Sequence, residues 1–129
     1  MTVHNMHIRS IDHIELTVKD LIVSSEFYKR LPGFKVVASY PNFIMFSCGN
    51  FKLGLTDHKG RLTSDSFKET NIGMDHVSFT VSKREDLDEA IEFFSSENIP
   101  HGEIKKLSNG TYVLAFRDPD NIQLELTYK

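Results

Sequence analysis

An internal repeat constrains this chain more than any other feature of its sequence. Residues 11–18, IDHIELTV, align with residues 74–81, MDHVSFTV, with four identities in eight positions. Residues 50–56, NFKLGLT, align with residues 121–127, NIQLELT, with four identities in seven positions. Because both the beginning and the end of a pattern recur, we predict that the 129-residue chain contains two copies of one structural unit.

Each copy is predicted to begin with a β-strand and continue with a helix. Apolar and polar residues alternate in both opening segments, which indicates half-buried strands with one polar face. Apolar residues at helical spacing then predict a helix over 21–31, capped by Asp20, and another over about 82–97, with a capping box formed by Ser82 and Glu85. Three strands are predicted after each helix, at about 34–40, 42–48, 51–56, 102–107, 111–117 and 121–128.

These elements predict an α+β fold of two βαβββ modules. One helix covers one face of each sheet, so the modules are expected to form a curved, cup-like mixed sheet with the helices outside and the polar face inside. We predict a single domain over 1–129, with module one at about 9–56, a linker at 57–71 and module two at about 72–128.

The polar face is predicted to hold a metal ion. The opening strands contribute His13 and His76 to this face, and the closing strands contribute Gly54 and Glu125 at equivalent positions. Pseudo-twofold symmetry would bring these four positions together, and three of them carry side chains that bind metals. Two imidazoles and one carboxylate suit Fe, Mn, Ni or Zn as a divalent cation and leave coordination positions for substrate.

Composition narrows the possible partners. The formal net charge is −3 and like charges do not cluster, which argues against binding to nucleic acid or to an anionic membrane. No apolar run reaches the roughly 18 residues that span a bilayer, and the first residues lack the apolar stretch of a signal peptide. We therefore expect a cytoplasmic protein with a small-molecule substrate. Cys48, the single cysteine, is interpreted as a strand residue in a reducing compartment.

The motifs resemble the vicinal oxygen chelate superfamily, which includes glyoxalase I, extradiol ring-cleavage dioxygenases, fosfomycin-resistance proteins and bleomycin-resistance proteins. The resemblance covers residues 9–128 and is carried by segments 11–14, 25–34, 75–77 and 118–126. It implies that His13, His76 and Glu125 match metal ligands, and that the protein is a homodimer. Whether two modules of one chain or modules of two chains complete each site stays open.

The resemblance implies several reaction classes. We favour a metal-dependent lyase or isomerase of the glyoxalase type, which chelates two adjacent oxygens of a small substrate. Alternatives are a ring-cleavage dioxygenase and a fosfomycin-type thiol transferase. However, glyoxalase I would be expected to carry a glutamate at the position of Gly54, and the basic, tyrosine-rich tail of fosfomycin-resistance proteins is absent.

The remaining alternative is a metal-free protein that sequesters an aromatic ligand or an antibiotic between two protomers. Four aromatic residues are the candidate contacts for that ligand: Phe43, Phe46, Phe51 and Tyr112. The presence of all three ligand types, His13, His76 and Glu125, argues against this alternative.

Further roles are assigned to four residues of the predicted strands. Glu125 is a candidate catalytic group as well as a ligand. Glu15 shares a face with His13 and is interpreted as a proton-transfer base, as a partner that orients an imidazole, or as a carboxylate exposed on the rim. Tyr112 lies either under the helix or toward the cavity, where it would contact substrate. Gln123 shares a face with Glu125 and is a second candidate substrate contact.

Overall fold

The computed structural model describes residues 5–62 and 66–129, and each copy of the repeat in it forms one sheet and one helix. The chain divides into two compact units, unit 1 within Met1–Leu62 and unit 2 within Thr63–Lys129. Unit 1 contains β1 (Ile14–Thr17), α1 (Leu21–Arg30), β2 (Phe34–Tyr40), β3 (Phe43–Cys48), β4 (Phe51–Thr56) and a short 3-10 turn (His58–Gly60). Unit 2 contains β5 (Val77–Thr80), α2 (Glu85–Ser96), β6 (Lys105–Lys106), β7 (Tyr112–Arg117) and β8 (Gln123–Tyr128).

The two sheets have the same topology. The strand order is β1-β4-β3-β2 in unit 1 and β5-β8-β7-β6 in unit 2. In each sheet the first strand pairs in parallel with the last strand, and the other neighbours are antiparallel. This arrangement confirms the α+β fold and the two βαβββ modules. It also places the opening and closing strands, which carry the candidate ligands, side by side.

Helix α1 begins at the predicted residue, Leu21, and ends at Arg30, one residue before the predicted end. The Asp20 carboxylate accepts hydrogen bonds from the backbone N–H groups of Ile22 and Val23, at 3.0 and 3.1 Å, so the predicted cap is confirmed. The buried side of the helix packs on the sheet, where the rings of Tyr28 and Phe46 lie 6.2 Å apart. Leu31, the residue before Pro32, is extended and ends the helix, and Gly33, with φ of 94°, adopts the left-handed conformation in the turn that follows.

Helix α2 begins differently from the prediction. Its N-cap is Arg84, and no side chain caps it, so the capping box of Ser82 and Glu85 is wrong. The backbone N–H of Lys83 instead donates to the Asp86 carboxylate at 3.0 Å, because the chain enters the helix through a turn. Burial of the apolar stripe then holds the helix against its sheet, as described for Phe94 below.

Three local features complete the comparison with the predicted elements. Strand β6 is only two residues long, although His101 adds an isolated bridge to Phe116. Asn121, in the turn before β8, has a φ of 64° and adopts the left-handed conformation. Cys48 ends β3 and is half-buried, and burial raises the pKa of its thiol, which disfavours the nucleophilic thiolate.

Among the described residues, no helix is long and apolar enough to cross a bilayer.

Candidate metal centre

In unit 1, His13 lies directly before β1 and is held between two carboxylates. Its Nδ1 atom is 2.7 Å from Asp12 Oδ1, and its Nε2 atom is 3.2 Å from Glu15 Oε1. The hydrogen bond with Asp12, followed by that with Glu15, raises the pKa of the His13 imidazole. The same bond from His13 lowers the pKa of Asp12. Because Asp12 occupies Nδ1, the ring presents Nε2 together with the Glu15 carboxylate.

In unit 2, His76 lies directly before β5 in the same arrangement. Its Nδ1 atom is 2.7 Å from Asp75 Oδ1, and its Nε2 atom is 3.6 Å from Glu125 Oε1. The Glu125 side chain is only 21% exposed, and it accepts a hydrogen bond of 3.2 Å from the Thr127 hydroxyl. The hydroxyls of Ser78 and Thr127 are also hydrogen-bonded to each other. In each unit, therefore, one imidazole lies between an aspartate at Nδ1 and a glutamate at Nε2.

The glutamates of the two units come from different strands. In unit 1, Glu15 on β1 lies beside Gly54 on β4, whereas in unit 2 Ser78 on β5 lies beside Glu125 on β8. A Cβ atom built on Gly54 would be 2.9 Å from both Glu15 Cγ and Phe43 Cε1. The side chain of Glu15 therefore occupies space that a side chain at position 54 would need.

The donors present fit a divalent metal ion. Metal-binding histidines usually have one ring nitrogen held by a carboxylate, and Asp12 and Asp75 hold Nδ1 of His13 and His76 in this way. Two ligand atoms at about 2.1 Å from one ion lie about 3.0 to 3.4 Å apart at octahedral to tetrahedral angles. The Nε2-to-carboxylate distances of 3.2 and 3.6 Å are close to that range. Among residues 5–62 and 66–129, no group of three or more His, Cys, Asp or Glu side chains is placed to hold a metal ion.

Hydrogen bonds behind His76 fix its partner Asp75. The Gln123 amide donates to the Asp75 carboxylate at 2.9 Å and to the Asp75 carbonyl at 3.1 Å. The Arg117 guanidinium donates to Gln123 Oε1 at 3.3 Å and to the Glu69 carboxylate at 2.6 Å. Gln123, assigned to substrate contact from the sequence, thus links β8 to the loop that carries His76. Its side chain therefore positions the segment that carries Asp75 and His76.

An open cavity of about 270 Å³ lies beside this face of unit 2. Its lining combines the ligand candidates with charged and apolar side chains, among them His76, Glu125, Gln123, Glu103, Lys105 and Val113. The volume lies just below the range of small-molecule sites, about 300 to 1,000 Å³. The cavity therefore places polar and apolar side chains beside the candidate ligands His76 and Glu125.

Most of the aromatic candidates lie on the helix-covered faces of the sheets. The Arg84 guanidinium, at the start of α2, stacks over the Tyr112 ring at 4.8 Å from its centroid. Tyr112 thus occupies the position under the helix, the first of its two predicted positions, and we leave it out of the proposed site. Phe46 is fully buried against α1. Phe51 lies two residues before the buried Leu53 on β4 and therefore shares its helix-covered face. Phe43, which lies over Gly54, is the one of the four on the polar face.

The residues that hold the candidate ligands are not among those singled out from the sequence. Asp12 and Asp75 recur in the repeat, and their identity in both copies was the available signal. Thr127 also recurs, as Thr56, but its bond to Glu125 depends on the strand geometry. Arg117 holds the turn before β8, since its guanidinium donates to the Asn121 carbonyl at 3.1 Å.

The Arg117–Glu69 ion pair predicts a pH-dependent contribution to stability. The hydrogen bond from Arg117 lowers the pKa of Glu69 from its ordinary value of 4.5. A lowered pKa stabilises the folded state above pH 4.5, and this stabilisation is lost as the pH falls through the folded-state pKa. We expect Glu69→Gln to unfold at lower urea concentration than the wild type at pH 7, with the difference shrinking below pH 4.5. Glu89→Gln, on the exposed side of α2, is the control, and an equal pH profile for both variants contradicts the prediction.

The family follows from the repeated topology and from comparison with known proteins. The model of the Glyoxalase/Bleomycin resistance protein/Dioxygenase superfamily matches residues 10–126. The chain belongs to this superfamily. No curated protein sequence matches it significantly.

Solved structures are similar over nearly the whole chain. A glyoxylase/bleomycin resistance protein/dioxygenase domain from Frankia sp. EAN1pec is 29% identical, with a TM-score of 0.78 over 95% of this chain and 93% of that one. A lactoylglutathione lyase from Agrobacterium tumefaciens is 25% identical, with a TM-score of 0.74 over 92% of both chains. The fosfomycin resistance protein FosX from Listeria monocytogenes, 20% identical with a TM-score of 0.74 over 95% of both chains, shares the fold.

Proposed function

We propose that this protein is a metal-dependent enzyme of the glyoxalase type, which binds two adjacent oxygens of a small substrate on a divalent cation. His13, His76 and Glu125 are the proposed protein ligands, and Fe, Mn, Ni and Zn are the candidate cations. A homodimer is the proposed assembly.

The repeated arrangement around His13 and His76 is the observation that supports this proposal. In both units an aspartate 2.7 Å away holds Nδ1, and Nε2 faces a glutamate. Members of the superfamily commonly use divalent metals, which agrees with these donors.

The residues of the site divide the chemical work. A divalent cation bound here would stabilise negative charge that develops on the two substrate oxygens. Asp12 and Asp75 hold the imidazoles in one tautomer and orientation. Glu125 is the proposed base, because its carboxylate is partly buried and faces the cavity. It would take a proton from the substrate carbon next to a carbonyl and return it to the neighbouring carbon.

A lyase or isomerase is favoured over the other reaction classes. That choice rests on the glutamate beside the cavity and on the similarity to a lactoylglutathione lyase. A ring-cleavage dioxygenase is the second candidate within the same donor set, and it differs in requiring Fe²⁺ and molecular oxygen. Similarity to fosfomycin resistance proteins concerns the fold and adds no support for thiol transfer.

The test is the metal content of the wild-type protein, purified without a histidine tag and without added metal. Elemental analysis is expected to find close to one Fe, Mn, Ni or Zn per proposed site. The loaded protein is then assayed on 2-oxoaldehyde hemithioacetals and on catechols, with and without oxygen. Turnover of the hemithioacetal without oxygen supports the lyase or isomerase, whereas oxygen-dependent turnover of catechol replaces it with the dioxygenase. A protein that contains no metal and binds none on titration contradicts the enzyme proposal and favours ligand sequestration.

A further inference from the structure

The geometry of unit 1 points to Glu15 as a fourth protein ligand, which supplies the carboxylate that Gly54 lacks. We infer that the carboxylate has moved from the closing strand to the neighbouring position on the opening strand. This inference rests on the proposed metal site and adds one carboxylate to it, so that the donors become two imidazoles and two carboxylates. It assigns Glu15 to the metal rather than to proton transfer or to orienting an imidazole.

The strand register places Glu15 where such a replacement is possible. Glu15 and Gly54 are direct neighbours across the β1–β4 pair, as Ser78 and Glu125 are across the β5–β8 pair. In each pair one residue is a glutamate and the other has a small side chain. The Cβ position of Gly54 lies 2.9 Å from Glu15 Cγ, so the two side chains would compete for one volume. Glu15 therefore fills the space in unit 1 that corresponds to the glutamate position of unit 2.

The distances also support coordination by Glu15. Glu15 Oε1 lies 3.2 Å from Nε2 of His13, shorter than the 3.6 Å between Glu125 Oε1 and Nε2 of His76. Both separations are close to that of two donors on one ion, about 3.0 to 3.4 Å. A role in orienting the imidazole is already filled, because Asp12 holds Nδ1 at 2.7 Å. Two carboxylates also balance the charge of a divalent cation.

Unit 2 provides the design of the decisive variant. Position 15 corresponds to Ser78, position 54 to Glu125, and Phe43, paired with Thr56, corresponds to Val113, paired with Thr127. The single variant Glu15→Ser removes the proposed ligand. The triple variant Glu15→Ser, Phe43→Val, Gly54→Glu gives unit 1 the residues of unit 2. It also removes both side chains that would collide with a new Cβ at position 54.

The experiment measures the dissociation constant of Zn²⁺ by competition with a chromophoric chelator. We expect Glu15→Ser to weaken Zn²⁺ binding by at least about 100-fold, the upper end of the effect of losing an outer-shell partner. The triple variant is expected to recover to within about 10-fold of the wild type, because the carboxylate returns from the adjacent strand. Glu92→Gln, which removes an exposed carboxylate from α2, is the matched control and should leave the constant unchanged.

Several outcomes overturn the inference. Zn²⁺ binding by Glu15→Ser as tight as that of the wild type leaves the proposed three-ligand site intact and removes Glu15 from it. Weakening without recovery in a folded triple variant assigns Glu15 to orienting His13. The visible spectrum of Co²⁺ bound to Glu15→Ser tests the same point without the triple variant. Absorption bands identical to those of the Co²⁺-loaded wild type would show that no ligand has been lost. Absence of Zn²⁺ binding by the wild type contradicts the proposed function itself.

Discussion

Replacement of His76 by alanine is expected to abolish near-stoichiometric metal binding by the purified protein. The variant removes one of two imidazoles and leaves Glu125 without the nitrogen that lies 3.6 Å from it. A direct ligand should contribute more than the 10- to 100-fold in affinity typical of an outer-shell partner. Elemental analysis of untagged protein, and Zn²⁺ titration of the apo form, measure the loss.

Thermal unfolding provides an independent reading of the same variant. A ligand that binds only the folded state at about 100 times its dissociation constant stabilises it by about 2.7 kcal/mol. Saturating Zn²⁺ should therefore raise the melting temperature of the wild type and leave that of His76→Ala unchanged. His7→Ala removes an exposed histidine outside the site and is the matched control. Full metal content in His76→Ala would show that the ion is bound elsewhere.

Replacement of Phe94 by alanine is expected to lower the free energy of unfolding by about 3 to 5 kcal/mol. Phe94 is 2% exposed, and its ring stacks on Phe116 of β7 with centroids 4.4 Å apart. Truncation leaves a cavity between α2 and its sheet, in addition to the lost burial of apolar surface. Urea denaturation monitored by circular dichroism measures the change.

The neighbouring Phe93 provides the control for this loss. It precedes Phe94 on α2 but is only half-buried, so Phe93→Ala should cost distinctly less. Equal losses for the two variants would contradict the packing described for unit 2. Metal binding by Phe94→Ala, measured where the variant is folded, should be retained, since the helix lies on the face opposite His76 and Glu125.

The sequence predicts the fold well because each copy of the repeat combines the two-residue alternation of a strand with the spacing of an amphipathic helix. Alternation in residues 11–18 and 74–81 locates the opening strands, and the buried Leu16 and Val77 confirm which face is covered. Asp20 is a cap whose hydrogen bonds are local, so it can be recognised without tertiary information. The start of α2 could not be recognised in this way, since Lys83 and Asp86 make the local bond there.

The candidate site is predictable only in part. His13, His76 and Glu125 follow from residue type and repeat position, and they remain predictions about metal binding. The competition of Glu15 with Gly54 for one volume requires the parallel register of β1 and β4. Likewise, the bond between Gln123 and Asp75 joins residues that are 48 positions apart. Contacts across strands of this kind depend on pairing that one sequence does not specify.

The shared volume of Glu15 and Gly54 has a consequence for how related chains are compared. When two neighbouring positions on parallel strands share one volume, a large side chain at one position requires a small residue at the other. The residues at the two positions are therefore correlated. A column-by-column comparison would score glycine at position 54 as a missing donor. A comparison that treats the lateral pair 15/54 as one character, alongside 78/125, would instead score one carboxylate in each unit. Inventories of active sites in duplicated folds should therefore be made by spatial pair, not by aligned residue.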